Sequence, residues 1–212
     1  MSEETAITKT ETAIANVSGL SIDASDIEIQ RINVVQKMSD IKASSGSLVL
    51  DKKHVLLDPE QAGKAIIIKA IKGWKEDVPF DSDVIPRVAM SPERKEQLEA
   101  ESDYPILEFA DIVLLIEQPE DNEDEEAFAF PIGDKNYALA KLYVAKDAYR
   151  QTFKRIATFA AFNRTTSIQS IYWKFQTQLM EKGKYSWFVP SLTNTNDKAP
   201  EAVNEFLKTF GA

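Results

Sequence analysis

From Ser167 to Met180 the chain alternates with period two: Ile171, Trp173, Phe175 and Leu179 share one face, and Tyr172, Lys174, Gln176 and Gln178 share the other. A strand with this pattern has one buried face and one polar face. The four residues Glu181-Lys182-Gly183-Lys184 then form a hairpin loop leading back into Tyr185 to Leu192. A long two-sided hairpin is thereby required, and the rest of the chain must supply the core against which it packs.

Most of that supply is also strand. Ile27, Ile29 and Arg31 alternate with Glu28, Gln30 and Ile32, and Ile32-Asn33-Val34-Val35 continues as a strand. The turn Ser44-Ser45-Gly46-Ser47 precedes Leu48-Val49-Leu50, and Asp51-Lys52-Lys53 precedes His54-Val55-Leu56-Leu57, which gives short hairpins. A β-branched run over Lys64 to Ile71 predicts a buried strand ending at Gly73-Trp74, and Phe109 to Glu117 and Tyr137 to Val144 predict two more. Ser91-Pro92-Glu93 starts a surface helix reaching about Ser102, with Ser91 as cap and Pro92 in the first turn. Tyr149, Phe153, Ile156 and Ala160 form the apolar stripe of a helix opened by Asp147, and Pro200 to Phe210 forms a short amphipathic helix. Strands and helices follow one another without regular βαβ alternation, so the class is α+β and β-rich, centred on a barrel rather than doubly wound. Residues 1–22 have few large apolar groups and are expected to be a flexible tail; residues 23–212 form a single domain.

Charge is distributed as unevenly as the pattern. The chain carries a net −9, which on average argues against binding phosphates. Between Lys135 and Pro190, however, ten basic residues face two acids, so this segment is +8 and the remainder −17. Twelve of the twenty aromatic residues lie in the same segment. Lys and Arg neutralise phosphates while aromatic rings stack on unpaired bases, each stacked base contributing about 1–3 kcal/mol. About half of these rings belong to periodic apolar faces and serve packing. The residues left as candidate nucleic-acid contacts are Lys141, Tyr143, Arg150, Lys154, Arg155, Arg164, Tyr172, Lys174, Lys182, Lys184 and Tyr185.

Other chemistries find little support. Without cysteine there are no disulfides, thiolate metal sites or thiol nucleophiles, in keeping with a reducing compartment. His54 is the sole histidine, which excludes histidine triads and two-histidine metal sites within one chain and leaves it a structural or exposed role. The acidic stretch Glu120, Asp121, Glu123, Asp124, Glu125 and Glu126 lacks the spacing of a calcium loop and reads as a solvated loop or a docking segment for a partner. The seven glycines form no phosphate cradle, and no motif nominates a catalytic carboxylate pair. The expectation is a protein that is not an enzyme and uses no cofactor or metal. No apolar run approaches the length of a membrane span and the first residues lack a secretion signal, so the expected location is cytoplasmic.

Ile29-Gln30-Arg31-Ile32-Asn33-Val34-Val35-Gln36-Lys37-Met38-Ser39, then Gly46-Ser47-Leu48-Val49-Leu50, and later Ile66-Ile67-Ile68 with Gly73-Trp74, resemble a group of bacteriophage proteins of mostly unassigned function. Their opening typically reads Ile-Pro-Arg-Leu-x-x-x-Gln-x-Met-Ser; Gln30 stands here in place of the proline. The resemblance covers residues 27–192 and implies a phage single-stranded-DNA-binding or replication accessory protein in the host cytoplasm. An OB-like, partly open barrel with peripheral helices suits that role, since such barrels bind single strands across a curved sheet.

Two functions follow as expectations. The first is non-sequence-specific binding of single-stranded DNA in replication or recombination, with the acidic loop docking replication or recombination proteins. The second is a phage interaction module that binds a host or phage protein through its acidic surface.

Overall fold

The computed structural model describes residues 15–17, 20–22 and 28–209. The tail expected over residues 1–22 lies outside them, apart from strands β1 (Ala15–Val17) and β2 (Leu20–Ile22), which pair antiparallel with each other. The remaining strands are β3 (Gln30–Val34), β4 (Leu48–Leu50), β5 (His54–Leu57), β6 (Gly63–Glu76), β7 (Val88–Ala89), β8 (Ile106–Glu117), β9 (Phe130–Ile132), β10 (Lys135–Ala145), β11 (Ile171–Lys182) and β12 (Tyr185–Lys198). The helices are α1 (Pro92–Glu101), α2 (Lys146–Gln151), α3 (Phe153–Phe162) and α4 (Glu201–Thr209).

The architecture is α+β and strand-rich: a curled, open half-barrel of the OB-like kind with few helices. The sheet runs in the order β12-β11-β6-β8-β10-β3-β4-β5, with β7 on β6 and β9 on β10. Every pairing is antiparallel except β10 with β3, where Ala140 and Lys141 stand opposite Gln30 and Arg31. The curl brings the far end of the sheet back to the segment joining β3 to β4. Thr177 Oγ1 donates to the Gly46 carbonyl at 2.7 Å, and Lys37 Nζ donates to Ser186 Oγ at 2.9 Å.

Strand alternation gives the sheet two apolar faces. The inner face carries Leu48, Leu56, Ala65, Ile67, Ile112, Leu114, Ala140, Trp173 and Phe175, closed by Tyr149 and Ile156 from the helices. The outer face carries Ile66, Leu115, Tyr137, Leu139 and Tyr172, and α4 covers it with Val203 and Leu207. Both layers are needed because the central strands are apolar on both sides.

Two local expectations are corrected. The helix expected from Asp147 is broken at Thr152, which lies outside helical geometry (φ −122°, ψ −84°). Thr152 is fully buried, and its hydroxyl donates to the Ala148 carbonyl at 2.6 Å, a back-bond that competes with helix continuation. Tyr149 and Phe153 still stack across the break at 5.1 Å. The hairpin loop is two residues, Gly183-Lys184, rather than four, because Lys182 pairs directly with Tyr185. Gly183 has φ +61° and Lys184 has no positive φ, the type II′ pattern whose twist matches the flanking strands.

Candidate nucleic-acid interface

Along α3 the residues Arg155, Thr158, Phe159 and Phe162 recur at i, i+3, i+4 and i+7, so they share one face of the helix. This face, with Arg150, Lys154 and Asn163, opposes Thr193 and Asn194 of β12 across a groove of about 460 Å³. No carboxylate lines it.

Arg155 is the fixed element of this groove. Its Nη1 donates to Ser191 Oγ and Thr193 Oγ1, each at 2.9 Å, and its Nη2 donates to Gln151 Oε1. Hydroxyls and an amide orient the guanidinium without neutralising it. Lys154 makes no ion pair among the described residues and lies 6.0 Å from the Tyr149 ring centroid. Arg150 is paired with Asp147. Phe159 packs edge-on against Trp173 at 5.3 Å, whereas Phe162 is 84% exposed beside the cations. The groove therefore combines net positive charge with one anchored ring and one free ring, the two kinds of group that single-strand binding needs.

The other predicted residues, Tyr172 apart, fall into four places. Arg164 is exposed in the turn after α3, next to Asn163 of the groove. Lys174 is exposed on β11, opposite Thr193 on one side and Lys64 of β6 on the other. Lys182, Lys184 and Tyr185 sit exposed at the hairpin tip, with Lys184 Nζ 5.4 Å from the Tyr185 ring centroid. Lys141 and Tyr143 do not join this surface. They line a separate pocket of about 690 Å³ on the outer face of β10, together with Arg31, Asp51, Asp111 and Phe130, where carboxylates offset the cations. The Tyr143 ring is stacked on Phe109 at 5.4 Å and flanked by Arg31 and Lys75.

Tyr172 is a correction. It lies on the expected strand face, on the side opposite Trp173, but α4 covers that face at this point and the residue is buried. Its hydroxyl donates to Glu117 Oε2 at 2.6 Å and lies 3.1 Å from the Tyr137 hydroxyl. Burial first, then the Glu117 and Tyr137 contacts, push its ionisation far above the usual tyrosine range. The ring is a core element and offers no stacking surface.

Sequence reasoning missed Phe159, Phe162, Thr193, Asn194 and Lys64. The spacing of Arg155, Thr158, Phe159 and Phe162 was a readable signal for a second helix face. Nothing local marks the β12 pair, which the fold brings to α3 from a distant part of the chain.

The acidic loop is tied to β5. Asn122 Nδ2 donates to the Val55 carbonyl at 2.8 Å, and His54 Nδ1 lies 2.8 Å from Asp124 Oδ2. Burial opposes ionisation of Asp124, but the Ala127 N–H and the His54 ring outweigh it and hold the carboxyl below its ordinary value. Among the described residues no group of three or more His, Asp or Glu side chains is placed to hold a metal ion, and no helix is long and apolar enough to cross a membrane.

Fold and groove together describe an open β half-barrel with a basic, aromatic-lined groove beside its edge strand. No family model, no curated protein and no solved structure matches the chain.

Proposed function

We propose that the protein binds single-stranded DNA without reading its sequence, acting in phage replication or recombination in the host cytoplasm. The observation that carries the binding is the groove itself: Arg150, Lys154 and Arg155 converge with Phe159 and the exposed Phe162, with no acid among the lining residues. The cations neutralise phosphates, and Phe162 offers its face to an unpaired base. Arg155 is already oriented by Ser191 and Thr193, so binding sacrifices little of its side-chain freedom. The excess negative charge elsewhere disfavours nonspecific wrapping of nucleic acid and confines binding to this surface. The assignment to phage replication or recombination rests on the sequence resemblance.

A duplex keeps its bases stacked and covered, so a single strand should bind more tightly than duplex of the same length. Fluorescence anisotropy with labelled oligothymidylate and a matched duplex tests this. Equal affinity for the two, or no binding at about 50 mM salt where phosphate contacts are strongest, overturns the proposal.

A further inference from the structure

We propose that the groove is one end of an extended track, and that a second anchor for the strand lies at the tip of the β11–β12 arm; this rests on the single-strand reading of the groove. β11 pairs with β6 only from Trp173 to Phe175, so beyond Phe175 its only ladder among the described residues is with β12. The ladder runs without a register shift from Trp173 opposite Asn194 to Lys182 opposite Tyr185. With period two, Lys174, Gln176, Gln178, Met180 and Lys182 share one face with Tyr185, Trp187, Val189, Ser191 and Thr193, of which Val189 and Ser191 are buried. No residue of this face is acidic, and Glu181 projects to the opposite one.

The two faces of the arm have different surroundings. On the Glu181 side Ser186 is bound by Lys37, the Phe188 ring lies against Gly46, and Thr177 bonds the Gly46 carbonyl. The Lys174 face carries exposed lysines at both ends, with half-buried Gln176, Gln178 and Met180 between them. Arg155 bonds Ser191 and Thr193 of this face, which joins the groove to it, and exposed Lys64 extends it across β6 beside Lys174. At the tip, Tyr185 is 66% exposed between Lys182 and Lys184 and repeats the groove's combination of ring and cations.

Lys174 and Lys182 are eight residues apart, roughly 26 Å along a strand. A chain of stacked bases rising about 3.4 Å per nucleotide needs about eight to cover that distance. Shorter oligonucleotides reach one anchor and longer ones both, so the second contact becomes intramolecular and affinity rises in a step.

The test is anisotropy on the full chain with labelled oligothymidylates of about four, six, eight and twelve nucleotides, a range suited to one OB-type fold. Wild type is compared with the triple variant Lys182→Ala, Lys184→Ala, Tyr185→Ala. The expected result is an affinity rise of about tenfold or more between six and eight nucleotides in wild type, absent in the variant, with four-nucleotide affinity equal in both. A smooth length dependence, or a variant weakened equally at every length, overturns the two-anchor track and leaves the groove proposal standing. No binding at any length refutes the single-strand reading itself. Should the triple variant melt at lower temperature than wild type, Tyr185→Ala alone makes the same comparison.

Discussion

The Gln36 carboxamide grips the backbone of Phe188 as a neighbouring strand would: its Nε2 donates to the Phe188 carbonyl at 2.8 Å and its Oε1 accepts the Phe188 N–H at 2.9 Å. One side chain thus fills the hydrogen-bonding positions of an edge residue and holds the curled sheet together where no ladder joins its two ends. Gly46 completes the junction, with φ +96° and no room for a Cβ, which would stand 2.9 Å from the Phe188 ring.

Gln36→Leu leaves the Phe188 N–H and C=O without this partner and should cost about 1–3 kcal/mol of stability. Gly46→Ala should also destabilise, through both the left-handed backbone and the Phe188 contact. Urea unfolding monitored by tryptophan fluorescence measures both; an unchanged midpoint for Gln36→Leu would show that the clasp is incidental.

Replacing Arg150 and Lys154 together by Ala should weaken single-strand binding and reduce the log–log salt slope by about 1.4, since each lost phosphate contact removes about 0.7. Phe162→Ala should weaken binding by about 1–3 kcal/mol and leave the slope unchanged, because losing a stacked ring releases no counterions. Anisotropy titrations at several salt concentrations separate the two effects, and an unaltered affinity in both variants would remove the groove from consideration.

Tyr172→Phe deletes the hydroxyl shared between Glu117 and Tyr137. It should lower stability by about 1–2 kcal/mol and leave DNA affinity unchanged. The opposite pattern, intact stability with weaker binding, would contradict the burial of this ring.

Glu76 is a buried carboxylate at the end of β6. Hydrogen bonds from the Arg87 side chain, then from the Ser102 hydroxyl and the Arg87 N–H, hold its carboxyl at about 2 against an ordinary 4.5. A depressed folded-state value means that its contribution to stability is complete above about pH 4.5 and is lost as pH falls towards 2. Glu76→Gln should therefore be less stable than wild type at pH 7, and the gap should narrow between pH 4.5 and the acid limit. Denaturation midpoints at pH 7, 4 and 3 check this, and a gap independent of pH would show that the carboxylate's charge contributes nothing.

Features set by nearest neighbours were legible in the sequence. Ser91 accepts the Arg94 N–H at 3.3 Å and α1 begins at Pro92, as capping chemistry requires. The alternation of Trp173 and Phe175 against Lys174 assigned the faces of β11 correctly. Tyr172 was not legible, because the helix that buries it follows only after β12 and a period-two pattern cannot say whether a polar-looking face will itself be covered. The groove was half legible: Arg150, Lys154 and Arg155 stood off the apolar stripe, but Thr193 and Asn194 reach α3 only through tertiary packing. Lys141 and Tyr143 show the converse: despite similar composition and proximity in sequence, their place on β10 puts them in a different pocket.

The parallel seam between β10 and β3 has a consequence for how the molecule is made. Only Gln30 and Arg31 meet β10 in register there, whereas β3, β4 and β5 form a local antiparallel unit. On the ribosome this unit emerges long before β10 exists, and its Leu48, Leu50, Leu56 and Leu57 must wait for the strands that will cover them. Closing so long a loop costs entropy before any bond repays it, so the seam and the Gln36–Phe188 clasp form late. A unit made well before β10 is thus among the last to be locked in place, and until then its apolar strands need protection from other chains.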